Sequence, residues 1–456
     1  MARDLFMKLS RPFTGVLGIA LVTLGLHSTP ALAIPSFSRQ TGLQCAACHT
    51  VFPELTEFGR QFKLRGYTLG SRLVGKPFPY NLPLAVGLQA GNTSIKDPNK
   101  GANAGEDFPR ADKTIVQQVA FYYGGKVAGK VGALVQYNWD GIEQKWGAEM
   151  ADIRYADSMT AAGKELLYGI SIANSPTVQD VWATSPMWAF PHLSDAGISP
   201  MNTSLFDMTL DNQVGAVSLY ADYDSQYYGE MGFFHNGKRG IFRPLNWGDE
   251  LTTAIAGNAP HLRLAWEKNS GPHNFEVGMH ALRADIFPDP ENLSGPTDRY
   301  TDLALDGQYQ YNGARHLVSV HAFFDHERRS WNASFPAGMA SNPTDNLNTF
   351  RMDAHYWYQR KIGGGIGFFN YWGDSDMLKY GMAGMPSAAG NATGSPDTRG
   401  WIIEVDYLPL KDRQNLKLGL RYTAYTKFNG ARDNYNGFGR NASDNNALFA
   451  YLWFLY

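Results

Sequence analysis

The sequence predicts a mainly β fold: a 16-stranded transmembrane β-barrel of the outer-membrane kind, preceded by a small N-terminal helical segment. Three observations point there. Segments of about ten residues alternate apolar and polar side chains from residue 82 to the C-terminus. The connections between them alternate in length. An export signal stands at the N-terminus. Forty Lys and Arg against 42 Asp and Glu leave a net charge of −2, which argues against a nucleic-acid binder. Past the export signal, no apolar run approaches the roughly 18 residues of a membrane helix, so any span must be built from strands.

The first element is the signal. Arg3, Lys8 and Arg11 make a positive start, residues 16–26 are apolar apart from Gly and Thr, and Ala31-Leu32-Ala33 is an A-x-A cleavage site. Residues 1–33 are expected to be a removed signal peptide, with the mature chain beginning at Ile34. An uncleaved anchor helix is the alternative, but the apolar stretch is short and ends in small residues.

The two cysteines of the chain lie together in Cys45-Ala46-Ala47-Cys48-His49. This is the C-x-x-C-H arrangement that attaches a c-type haem: two thioethers hold the porphyrin and the adjacent imidazole falls beneath the iron. A thioredoxin-type redox pair and half a zinc site are the alternatives. The first lacks a surrounding βαβ pattern and the second lacks further ligands, the next His being His192. The expectation is one covalent haem c per chain, bound by Cys45 and Cys48 with His49 as proximal iron ligand.

The haem segment, residues 34–80, is too short to bury a core comfortably without a cofactor or a host surface. Pro53 is placed to start a helix, Leu55, Phe58 and Phe62 recur at i, i+3 and i+7, and Gly66 is placed to stop it. That apolar face is expected against the porphyrin. Arg39, Arg60, Lys63 and Arg65 either meet haem propionates or form a solvated face.

Residues 81–456 form the barrel. The strand segments are 82–95, 115–123, 131–140, 148–156, 166–174, 213–223, 226–235, 261–267, 273–284, 300–311, 315–326, 349–359, 362–373, 400–408, 416–427 and 447–456. Connections 124–130, 157–165, 224–225, 268–272, 312–314, 360–361 and 409–415 are short, as periplasmic turns are. The others are long, as outer loops are, except 141–147. Parity agrees: Val318, Val320, Ala322 and Phe324 share one face, while Arg315, Ser319, His321 and Asp325 share the other. Phe350, Met352, Ala354 and Tyr356 likewise oppose Arg351, Asp353, His355 and Gln359, with Trp357 on the polar face. Leu448, Ala450, Leu452, Phe454 and Tyr456 suit a closing strand. A soluble sandwich or propeller is the competing architecture; it does not call for one-sided long loops or an aromatic end. The run Gly363-Gly364-Gly365-Ile366-Gly367 lies in a strand segment, where close contact is its expected use rather than a phosphate.

After His49 neither Met nor His occurs before Met150. A distal ligand of either type must therefore come from the barrel, unless the iron stays open or water-bound. Parity nominates Met150, on a face with Asp152 and Arg154; His280, with Asn274 and Glu276; and His321 and His355.

The run Pro35-Ser36-Phe37-Ser38-Arg39-Gln40-Thr41-Gly42, followed by Cys45-Ala46-Ala47-Cys48-His49 and Pro53-Glu54-Leu55-Thr56-Glu57-Phe58-Gly59-Arg60, resembles the fused monohaem cytochrome c and porin family of outer-membrane iron oxidases. The resemblance implies an electron conduit in the bacterial outer membrane that oxidises extracellular Fe(II) and passes electrons through one haem to a periplasmic cytochrome c. Only Cys45, Cys48 and His49 carry roles over from it. The physics agrees, since an insoluble ferric product is best made outside the cell and a barrel wall about 25 Å tall separates surface iron from a periplasmic carrier. Two other functions fit the residues: a diffusion porin with a haem-bearing gate or sensor, and a conduit for another donor. Loop carboxylates Asp97, Glu106, Asp107, Asp249, Glu250, Asp374 and Asp376 are interleaved with Lys96, Arg110, Arg239 and Arg243, so no iron site is assigned.

Overall fold

The computed structural model describes residues 35–70, 82–185, 195–248, 250–382, 384, 386–410 and 414–456. The expected signal peptide, the end of the haem segment at 71–80, His192 and Asp249 lie outside the described residues.

Sixteen long strands form one closed antiparallel sheet. They are β1 (Leu84–Ile95), β2 (Thr114–Ala128), β3 (Val131–Asp140), β4 (Lys145–Ala161), β5 (Lys164–Ala173), β6 (Val214–Tyr223), β7 (Tyr227–Asn236), β9 (Asn258–Ser270), β10 (His273–Phe287), β11 (Asp298–Asn312), β12 (His316–Ser330), β13 (Thr344–Tyr358), β14 (Ile362–Gly373), β15 (Thr398–Tyr407), β16 (Leu416–Lys427) and β17 (Ala447–Leu455). A two-residue strand, β8 (Ala254–Ile255), pairs with the outer end of β10. Closure joins β17 to β1, from Gly87↔Leu455 to Ile95↔Ala447. Each expected strand has its counterpart, with ends moved by a few residues. Closure leaves no unpaired edge, the condition for a sheet to stand in hydrocarbon.

The short connections are tight because their residues allow it. Ala162-Gly163, Asp224-Ser225 and Gln359-Arg360 each hold two successive residues at positive φ, the backbone of a two-residue hairpin turn that matches strand twist. The side with these turns is the periplasmic one. Near it, Tyr168, Tyr227, Trp266, Phe275, Tyr358 and Tyr407 are exposed on the outer wall, an aromatic girdle at the membrane boundary. Between the rims Leu219, Val277, Leu303, Leu305, Ile403 and Val405 face outward. The chain is an outer-membrane barrel.

The inward face is polar and full. Along β12, Ser319, His321 and Asp325 are buried while Val318, Val320, Ala322 and Phe324 are partly exposed, as parity requires. Buried ion pairs line this face: Arg263 with Asp306 and Glu276, Arg351 with Asp207, and Lys417 and Arg421 with Glu404. Trp357 is buried on the inward face, packed with Val51 of the N-terminal segment. Gly363 and Gly365 leave room for inward rings, since a Cβ on either would lie 2.3 to 2.4 Å from Trp357 or His355.

The connection between β5 and β6, expected as an outer loop, folds into the lumen. Trp182 Nε1 donates to Glu267 on β9, the Thr184 hydroxyl to Asp306 on β11, and the backbone N–H of Leu205 to Glu327 on β12. Arg351 of β13 and Tyr371 of β14 donate to Asp207. Phe206 and Leu210 are buried among inward side chains. Loop length alone gave no sign of this; its polar residues find carboxylates on strands far away in sequence.

If the outer face meets lipid, Leu305→Arg midway along β11 is expected to destabilise the folded barrel by about 2–4 kcal/mol. Denaturant unfolding in phospholipid bilayers measures this, and an unchanged midpoint would mean that the face does not lie in hydrocarbon.

Candidate functional site

The N-terminal segment lies inside the periplasmic half of the barrel as α1 (Pro35–Thr41), α2 (Cys45–Cys48) and α3 (Glu57–Leu64). Thr56 caps α3, its hydroxyl accepting from the Gly59 N–H. The helix therefore starts at Glu57, and Pro53, expected to begin it, sits instead in the turn below His49. At the other end Gly66, at positive φ, donates to Lys63 O while Tyr67 donates to Phe62 O, a Schellman stop where one was expected.

α3 is pressed onto the C-x-x-C turn. A Cβ on Gly59 would lie 2.1 Å from Cys48 O, so a glycine is required for this approach. The stripe facing the cysteines is Leu55, Gly59, Phe62 and Lys63. Phe58, expected on that face, is exposed, because the helix begins at Glu57 rather than Pro53 and Gly59 takes the inward position.

His49 is held by two backbone carbonyls. Its Nδ1 contacts Pro53 O at 3.1 Å and Glu54 O at 3.2 Å. Two carbonyl acceptors fix the proton on Nδ1 and leave the Nε2 lone pair for a metal. Burial holds its pKa down at about 4, against the raising effect of those two bonds, so the ring is neutral at physiological pH. Cys45 and Cys48 are unbridged, and burial foremost pushes the Cys48 thiol up to about 11.

Cys45, Cys48 and His49 open onto a cavity of about 1370 Å³, its mouth included, between the segment and the barrel wall. Phe37, Phe52, Leu55 and Phe62 line the segment's side, and Tyr122, Leu134, Met150 and Trp453 the wall's side. An apolar pocket with two thiols and one oriented imidazole fits a covalently tethered haem.

Of the four distal-ligand candidates, the structure brings only Met150 to this cavity. The pairing of β3 with β4 skips a residue there: Gln136 opposes Met150, Tyr137 opposes Ala148, and Glu149 is the extra residue of the bulge. His321 is held by Asp353 at 3.0 Å and Gln308 at 3.1 Å, and His355 lies 3.3 Å from Asp353. His280 packs between Phe206 and His261 under the inward loop. Parity placed all four correctly on the lumenal face; which stretch of that face lines the cavity separates them, and strand alternation does not encode it.

Each of the four basic residues holds a protein partner. Arg60 is buried, its guanidinium donating to Glu267 Oε1 at 2.6 Å, Leu55 O at 2.6 Å and Gln310 Oε1 at 3.2 Å. Lys63 donates to the carbonyls of Val178 and Asp180 on the inward loop, and Arg65 makes a two-bond pair with Glu165 at the rim. Arg39 donates to Leu84 O. These side chains fasten the segment to the wall. Ser319 adds a bond to Glu54 at 2.9 Å, and Trp453 a ring contact to Phe52 at 4.4 Å. The acidic partners lie a hundred or more residues away, so spacing could not reveal them.

On the extracellular side a second cavity, of about 1090 Å³ with its mouth included, is lined by Asp140, Glu143, Glu149, Asp211 and Glu250, with Lys145. Glu149 adjoins Met150, so β4 carries a wall residue of each cavity. Among the described residues no three His, Cys, Asp or Glu side chains converge to hold a metal ion.

No protein-family model matches the chain, and no curated protein does. Solved outer-membrane channels do match in form. An OmpF of Salmonella typhi, in complex with daunomycin, is 11% identical, covering 82% of this chain and 97% of its own, with a TM-score of 0.47. An anion-selective porin from Comamonas acidovorans (10%; 82% and 98%; 0.42) and the channel DcaP of Acinetobacter baumannii (10%; 82% and 96%; 0.42) are similar to the same degree. Identities this low bring no function to this chain.

Removing one partner of a buried ion pair leaves the other charge uncompensated, at about 3–5 kcal/mol. Arg60→Ala is therefore expected to loosen the segment, read as faster proteolysis between residues 35 and 70 with the barrel intact, and Glu267→Ala in the same chain to recover part of the loss. Equal protection in wild type and Arg60→Ala would show that the pair does not hold the segment.

Proposed function

We propose that this chain is an outer-membrane electron conduit, oxidising Fe(II) at the cell surface and delivering electrons to a periplasmic cytochrome c. The observation that carries the reading is a C-x-x-C-H whose imidazole is oriented by two carbonyls, opening into an apolar cavity inside a barrel crossed by its own loop. Cys45 and Cys48 would hold the haem by thioethers, and His49 Nε2 would bind its iron. When bound, the haem supplies a one-electron couple through which an electron from external Fe(II) can reach a periplasmic carrier.

The protein's own residues do the rest. Phe37, Phe52, Phe62 and Trp453 exclude water from the pocket, and solvent exclusion shapes a haem's potential. The carboxylates of the outer cavity present negative potential to an arriving dication. Leu205, Phe206 and Asp207, buried on the inward loop and bonded to β12, β13 and β14, narrow the way for a diffusing solute. That narrowing favours a conduit over the runner-up, a diffusion porin with a haem-bearing gate.

The purified protein is expected to carry one covalent haem per chain by pyridine haemochrome, absent after Cys45→Ser with Cys48→Ser. Anaerobic mixing with Fe(II) is expected to turn the haem spectrum to the reduced form. A haem that stays oxidised would exclude Fe(II) as donor, and solute flux into liposomes at a porin's rate would favour the channel.

A further inference from the structure

We propose that the Met150 thioether is the sixth ligand of the haem iron, opposite His49. The proposal rests on the reading that the chain carries a c-type haem. Among the described residues lining the cavity, Met150 is the one Met, and His49 the one His. The cavity's other side chains able to bind iron are engaged or ill-suited. Lys63 Nζ is tied to two backbone carbonyls and the Tyr67 hydroxyl donates to Asp152. Tyr122, which also lines the wall, would have to bind as a phenolate in an apolar setting.

Backbone geometry places Met150. The bulge at Glu149 shifts the β3–β4 register at this height, and bulges re-aim side chains beside functional sites. Met150 belongs to the rigid wall, whereas His49 belongs to the docked segment, so the cavity lies between the two ligands. Ligation would then join the segment to the barrel across the porphyrin. A Met/His pair also raises the haem potential, which suits a high-potential donor such as Fe(II). Because Glu149 lines the outer cavity, the ligand would stand in the wall that divides donor from haem.

The test compares haem-loaded full-length wild type with Met150→Leu, Met150→His and Tyr122→Phe, each checked for folding by heat-modifiable migration and for haem content by pyridine haemochrome. Wild type should be low-spin with the long-wavelength band of a thioether on ferric haem. Met150→Leu, which keeps the volume, should lose that band, turn high-spin and bind imidazole at least about tenfold more tightly, since a filled sixth position lowers apparent affinity by its open fraction. Met150→His should restore a low-spin spectrum without the band and lower the potential, and Tyr122→Phe should change nothing. A band that persists in Met150→Leu, a high-spin wild type, or a loss confined to Tyr122→Phe would overturn the assignment while leaving the haem in place. A wild type without haem would overturn both this and the reading beneath it.

Discussion

A segment this short needs a host, and the barrel lumen is that host. Residues 35–70 hold three short helices with little apolar surface to bury among themselves. The wall supplies Trp453 against Phe52, Tyr220 on Leu64 O at 2.6 Å, and Glu267 for Arg60. Buried charge makes the docking specific: a guanidinium with 1% of its side chain exposed is tolerable only where its carboxylate stands. The cavity exists because the segment seats at one height and one rotation.

The same constraint shapes the rest of the lumen. A barrel of sixteen strands is wide enough for water, and here the space is taken by the segment from the periplasmic side and by the β5–β6 loop from the other. Lys63 bonds that loop through Val178 and Asp180, so the two inserts brace each other. The lumenal charges of other barrels face solvent; here Arg263, Asp306, Glu404 and Arg421 are buried and must pair. The wall's polarity thus serves internal fastening, and the outer cavity keeps carboxylates that still face the outside.

Local chemistry was legible in the sequence. Alternation with a period of two gave all sixteen strands and the lumenal parity of Met150, His280, His321 and His355, because one slip would turn a whole strand over. C-x-x-C-H is equally local. What escaped was set by partners distant in sequence. Arg60 and Lys63 read as propionate contacts or solvated charges because Glu267 and Val178 cannot be paired with them by spacing. Phe58 was assigned inward because Gly59, the residue that permits close approach to Cys48, carries no apolar signal. The inward turn of the β5–β6 loop depends on Glu267, Asp306 and Glu327 along three different strands, and the bulge at Glu149 depends on the pairing of β3 with β4.

The central claim is that electrons cross this barrel while solutes do not. Proteoliposomes with the outer loops facing out, Fe(II) outside, and both a ferric c-type cytochrome and a small fluorescent dye sealed inside would test it directly. The account predicts that the enclosed cytochrome is reduced while the dye stays inside. An enclosed cytochrome that stays ferric, or is reduced only as the dye escapes, would contradict it.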